Sequence, residues 1–194
     1  IGFVILYILP FLWGFRYSVS RSGFDDSFVG LANYRNVLAS PSFQLAFKNN
    51  VLFLAAGIPL LIVFSFLLAL LIHEVQSPTW VKLAIVLPIA IPSASVSGFF
   101  REFMATGVDS LMDSDFAMVS VIILFLWRST GYNLLVYLAA LGSMDQSLME
   151  AATIDGAGYW QRVRHVVIPL LTPATVFVTI LSVINSYRVY KDVF

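Results

Sequence analysis

Residues 51–72, VLFLAAGIPLLIVFSFLLALLI, carry no charged side chain. A helix crossing a hydrocarbon core about 30 Å thick needs roughly 20 such residues in succession. The segment therefore predicts a membrane-spanning helix, the most sharply defined one in the chain. Composition agrees, since 59% of the residues are hydrophobic and only 11% charged, against about 25% charged in an average soluble domain. The expected solvent is a lipid bilayer. Formal net charge is zero, which argues against a basic surface for nucleic acid. There are no cysteines, so disulfide frameworks, thiolate metal sites and cysteine nucleophiles are excluded together.

Upstream of this helix, residues 1–15 are apolar around Pro10 and end at Arg16, as in a span whose start precedes the sequence. Residues 16–50 predict a polar loop on the membrane surface, with a short amphipathic helix on which Tyr34, Val37 and Leu38 share a face. Downstream, His73-Glu74 closes the helix, and a lone His–Glu pair at a boundary reads as a solvated end rather than a metal site. Pro78, Trp80 and Lys82 suggest a tight turn into a third span, Leu83 to Phe100. That span holds Pro88, Pro92 and the small residues Ser93, Ala94, Ser95, Ser97 and Gly98, which let helices approach closely.

A polar connector, Arg101 to Asp115, leads to a fourth span, Phe116 to Leu141, interrupted by Arg128-Ser129-Thr130 with Gly131 next. An arginine at the bilayer centre costs about 2.5–3.5 kcal/mol on insertion scales, so Arg128 should face protein or water. Two arrangements stay open: a polar pathway at mid-membrane, or a broken helix with Arg128 in an internal hydrogen-bond network. A last span, Val166 to Tyr187, opens with Pro169 and Pro173. The expected fold class is all-α, a polytopic membrane helix bundle with about five spans.

One polar island interrupts this pattern: Glu150-Ala151-Ala152-Thr153-Ile154-Asp155-Gly156-Ala157-Gly158. Ser147, with Glu150 three residues on, predicts a capping box, and Gly156 with Gly158 predicts a left-handed stop. A second helix from Tyr159 would place Tyr159, Trp160, Val163 and Val167 on one side and dive into the membrane at Pro169. A small-residue helix with an exposed carboxylate suits a partner's groove, because alanines allow close approach and the carboxylate can pair with arginine. The alternative is an ordinary interfacial loop.

The island resembles the loop of bacterial ABC importer permease subunits. Their pattern is Glu-Ala-Ala, three residues, Gly, nine residues, Ile, one residue, Leu-Pro. Here Glu150-Ala151-Ala152, Gly156 and Pro169 stand in register, with Val166 for Ile and Ile168 for Leu. Phe28 to Tyr34, Leu87-Pro88, Gly131-Tyr132-Asn133, Leu138 to Leu141 and Ile184 to Tyr187 are similar to segments of the carbohydrate branch, as in maltose-type and glycerol-phosphate-type permeases.

The resemblance implies a multi-pass subunit in the bacterial cytoplasmic membrane and a single transmembrane domain over residues 1–194. Residues 143–168 would be its cytoplasmic coupling loop. A sixth span is expected beyond Phe194, and the short connector at 101–115 is expected to lack residues. Partners implied are a second permease subunit, two cytoplasmic ATPase subunits and an extracytoplasmic sugar-binding protein. Glu150, Ala151, Ala152, Asp155, Gly156 and Gly158 would couple to the ATPase. Arg128, Tyr132, Asn133, Asn185 and Tyr187 are the candidates to line a sugar pathway. No cofactor is expected on this chain, ATP and Mg being bound by the ATPase subunits, and neither catalytic nor metal-ligating residues are expected.

Charge alone points the other way for orientation. Arg16, Arg21, Arg35, Lys48, Arg101, Arg188 and Lys191 fall on one side and Lys82, Arg162 and Arg164 on the other, which would place the island outside. The resemblance places it in the cytoplasm. A secondary transporter or channel without an ATPase partner is the alternative class, and it predicts intramembrane acidic residues that the expected spans lack. An embedded enzyme would need a clustered catalytic set, yet the histidines are His73 and His165, both at membrane boundaries.

Overall fold

The computed structural model describes residues 2–22, 27–92, 95–96, 98–99, 102 and 117–188. The connector at 101–115, the pair Asp25-Asp26, the small residues Ser93, Ala94 and Ser97 and the end of the chain from 189 lie outside the described residues, except Glu102. Seven helical runs account for most of what is described. They are α1 (Val4–Ser18), α2 (Ala32–Ala39), α3 (Pro41–Glu74), α4 (Thr79–Ala90), α5 (Ala117–Gly142), α6 (Gln146–Ile154) and α7 (Tyr159–Ser186). The chain divides into two compact units, Ile1–Val51 and Leu52–Phe194.

In the first unit, the segment after α1 folds back on the end of that helix. Ser20 and Phe28 form an isolated antiparallel bridge. The Asn33 amide donates to the Ser18 and Ser20 carbonyls at 3.0 and 2.7 Å, and the Tyr34 hydroxyl donates to Ser18 Oγ at 2.7 Å. The expected surface loop is shorter than its polarity suggested. Helix α3 starts at Pro41 rather than Val51, because Ser40-Pro41 is itself a helix start: Ser40 is extended and proline needs no partner at the first helical position.

Helix α3 runs unbroken through Pro59 for 34 residues, about 50 Å at 1.5 Å per residue. In the second unit it packs through two separate apolar clusters. Phe53 and Leu61 join Val96, Leu124 and Phe125 in one, with Phe53 and Phe125 edge to face at 5.2 Å. Ala69, Leu70 and Ile72 join Leu134, Tyr137, Val167, Leu171 and Val178 in the other, where Phe66 meets the Tyr137 ring at 5.6 Å.

Three described helices are long and apolar enough to cross a membrane: α3, α5 and α7, of 34, 26 and 28 residues. Helices α1 and α4 are apolar but shorter. The expected third span is thus redrawn. Trp80 and Lys82 lie inside α4, which Pro78 precedes, and α4 stops at Ile91 because a residue before proline, here Pro92, is driven to extended geometry. Helix α5 is continuous through Arg128, Ser129 and Thr130, so the broken-helix arrangement is set aside. Arg128 is half-buried on an intact helix.

Helix α7 corrects a second expectation. The helix starts at Tyr159 as expected, but it is one with the span expected from Val166 and enters it without interruption. Val163–Val167 is a π turn, whose closing bond runs from the Ile168 N–H to the Val163 carbonyl, and Val4–Ile8 in α1 is its counterpart before Pro10. A proline ring presses on the carbonyl four residues back. In both cases that carbonyl, of His165 or of Leu6, sits in the wider π turn, which gives it room.

Candidate functional site

The polar island folds as a short helix held at both ends by its own backbone chemistry. The Asp145 carboxylate, not the expected Ser147 hydroxyl, caps α6 by accepting from the Ser147 N–H at 2.9 Å. That bond favours the ionised form and holds the Asp145 carboxyl below its ordinary range. Aspartate two residues ahead of serine wins because a carboxylate is the stronger acceptor.

At the other end, the Ala157 N–H reaches the Ala152 carbonyl and the Gly156 N–H the Thr153 carbonyl, both at 3.0 Å. This is a Schellman stop. Gly156 occupies its left-handed position with φ +80°, where a side chain would be strained. Gly158 does something else. Its φ of −65° is ordinary, and it serves as the N-cap of α7, its N–H donating to Gln161 Oε1 at 2.8 Å.

Helix α6 turns Met149 inward against the second apolar cluster, with Ala152 half-buried. Glu150, Ala151, Ile154, Asp155 and Gly156 are exposed, and Ile154 is 85% exposed. Trp160, expected on the inner side with Tyr159 and Val163, is exposed instead. Beneath the helix lies a cavity of about 140 Å³, walled by Leu70, Leu141, Met149, Val163 and Val167, with His73, Glu74 and Asp145 also lining it. The ends of α3, α5 and α7 therefore converge on α6.

The expected pathway residues separate. Asn133 is 2% exposed and its amide donates to Ser182 Oγ of α7 at 3.2 Å. Tyr132, Asn185 and Tyr187 are exposed, and Arg128 is half-buried. Ser182, not among the expected residues, is the buried partner; nothing local in sequence marks a residue 49 positions away. Tyr137 adds a second bond between the same helices, its hydroxyl donating to Thr175 Oγ1 at 3.3 Å. Gly131 sets the spacing of α4 against α5, since a Cβ there would lie 2.7 Å from the Ile85 carbonyl oxygen and 2.8 Å from Val86 Cα. Among the described residues no group of His, Cys, Asp and Glu is placed to hold a metal.

A capped helix at the convergence of membrane-spanning helices, with Glu-Ala-Ala and glycine in register, defines a class of transport protein. Residues 46–188 match the family described as binding-protein-dependent transport system inner membrane component, and the chain belongs to that family. It is 31% identical over 185 residues to the lactose transport system permease protein LacF of Rhizobium radiobacter, covering 86% of this chain and 62% of the relative. It is 29% identical to the arabinooligosaccharides transport system permease protein AraP of Halalkalibacterium halodurans, covering 100% of this chain and 67% of that protein. The chain thus spans about two thirds of the length of these relatives. A bacterial ABC transporter involved in import of the acidic polysaccharide alginate shares the fold, with a TM-score of 0.78 over 96% of this chain and 69% of that one, at 23% identity.

Proposed function

We propose that the chain is a transmembrane subunit of a binding-protein-dependent ABC importer and forms half of the pathway for a sugar or related solute. In this reading residues 1–194 act as a single transmembrane domain, with residues 143–168 as its cytoplasmic coupling loop. The observation that carries it is α6, a helix closed at both ends by its own caps, exposing Glu150, Ala151 and Ile154 where three long apolar helices converge. Ile154 is costly in water, and burying such a side chain returns about 1.5–3 kcal/mol. A groove on an ATPase subunit supplies that burial, with the Glu150 carboxylate paired to a basic residue there.

The partners are a second permease subunit, two ATPase subunits that hold ATP and Mg, and an extracytoplasmic sugar-binding protein. This chain performs no bond chemistry. Closure of the ATPase pair shifts α6, and α7, continuous from the loop into the membrane, carries the shift to the pathway. Arg128, Tyr132, Asn185 and Tyr187 are the candidates to meet the solute, and Asn133 serves by holding α5 to α7.

Reconstitution with those partners tests the reading. Binding protein loaded with lactose, an arabino-oligosaccharide or sn-glycerol 3-phosphate is expected to stimulate ATP hydrolysis, and Glu150→Ala to cut that stimulation at least tenfold. Failure of the ATPase subunits to co-purify with the chain overturns it. Orientation has its own check: a cysteine placed at Ile154 should resist an impermeant reagent in intact cells.

A further inference from the structure

The turn that joins α6 to α7 is the weakest link of such a lever. It holds two glycines within residues 155–158, one left-handed and one extended. A hinge of that composition would absorb a push on α6 instead of passing it to α7. One side-chain bond crosses it. Arg162 Nη1 of α7 donates to Thr153 Oγ1 of α6 at 2.6 Å, and the Thr153 hydroxyl donates onward to the Met149 carbonyl at 2.7 Å. Thr153 is thereby used as acceptor and donor at once. Arg162 is half-buried, and its Nε is shielded from water with no hydrogen-bond partner. The stem of the guanidinium thus lies against protein at Nε, while its bond to Thr153 is open to solvent. The Arg162 N–H also bonds the Gly158 carbonyl at 3.0 Å, so backbone and side chain of one residue clamp both sides of the turn.

We propose that Arg162 and Thr153 form a brace that makes α6 and α7 one rigid body across the glycine turn. They are positioning residues: neither need touch solute or nucleotide, and they act through the angle between two helices. The proposal deepens the coupling reading above and rests on it for its functional consequence.

The test uses the full chain in its complete transporter in lipid nanodiscs. Spin labels go on cysteines at Ser147 in α6 and Trp160 in α7, both exposed and both ahead of the π turn, in a chain with no cysteine of its own. The expected result is one narrow distance distribution, unchanged by Mg-ATP. Thr153→Val, which keeps the shape and removes the hydroxyl, should at least double its width, Arg162→Ala should do the same, and Thr153→Ser should restore the narrow distribution. In the same preparations, stimulation of ATP hydrolysis by loaded binding protein should fall at least threefold in Thr153→Val and recover in Thr153→Ser. Equal widths in wild type and Thr153→Val overturn the brace. If the ATPase subunits do not assemble with the chain, the coupling reading falls, while the distance widths, measured on the chain alone in nanodiscs, still decide whether the brace exists.

Discussion

The α6 junction and the seam between α4, α5 and α7 are both built around a glycine and a polar contact, but by opposite means. At the junction every element is local: Asp145 caps two residues ahead, the Gly156 and Ala157 N–H groups close a turn on carbonyls three and five residues back, and Arg162 reaches nine residues to Thr153. In the seam Gly131 matters because another helix's backbone lies against it, and Asn133 because Ser182 does. The difference teaches where each region can yield. The junction gives way when a single residue's conformation is wrong; the seam gives way when two helices cannot meet.

Overfilling the seam should have the largest effect. Gly131→Ala places a methyl inside contact distance of α4 backbone, which cannot swing aside, and overpacking of this kind costs about 1–3 kcal/mol. Thermal unfolding of the purified chain in detergent should fall by several degrees, and Gly131→Leu should fail to accumulate. Next comes the junction's own glycine. Gly156→Ala meets open space but a forbidden backbone, worth roughly 1–2 kcal/mol, whereas Gly158→Ala, at φ −65°, should be nearly silent. Amide exchange across residues 146–158 separates them. Equal effects from the two would show that the Schellman stop does not organise the turn.

Smaller still is Asn133→Leu. A hydrogen bond between membrane helices averages about 0.6 kcal/mol and rarely exceeds 1.7, so stability should drop less than in Gly131→Ala, sharpening the view that packing, not polarity, holds the seam. The gentlest probe is pH. Because the cap lowers the Asp145 carboxyl in the fold, its contribution is present above the ordinary aspartate range and is lost as pH falls through the lowered value. Protection of the amides at the start of α6, taken relative to intrinsic exchange at each pH, should fall in that acid window, and Asp145→Asn, which caps without titrating, should remove the pH dependence of that protection.

The same contrast explains what could be read from sequence. Gly156 and the Glu-Ala-Ala register are local signals, and α6 lies where they put it. Capping-box spacing favours Ser147 as cap, although Asp145 stands two residues earlier with the better acceptor. The start of α3 was masked by Lys48, Asn49 and Asn50, and Ser40-Pro41 was the signal that marks it. In the seam, Asn133 was recognisable as polar within an apolar helix, but its partner Ser182 is one of many serines and depends on how α5 and α7 meet. Tyr159, Val163 and Val167 form the expected inner stripe of α7, which continues to Leu171; Trp160, one residue on from Tyr159 and so turned about 100° from it, faces outward.

The π turn of α7 has a mechanical meaning. It carries one residue more than an α turn would, so a return to α geometry at Val163–Val167 would screw everything ahead of it about the α7 axis by one residue's rotation, roughly 100°. Tyr159 to Arg162, and α6 through the brace, would turn with it. A helix with such a turn just before Pro169 can transmit torque as well as thrust, and the same gearing stands before Pro10 in α1.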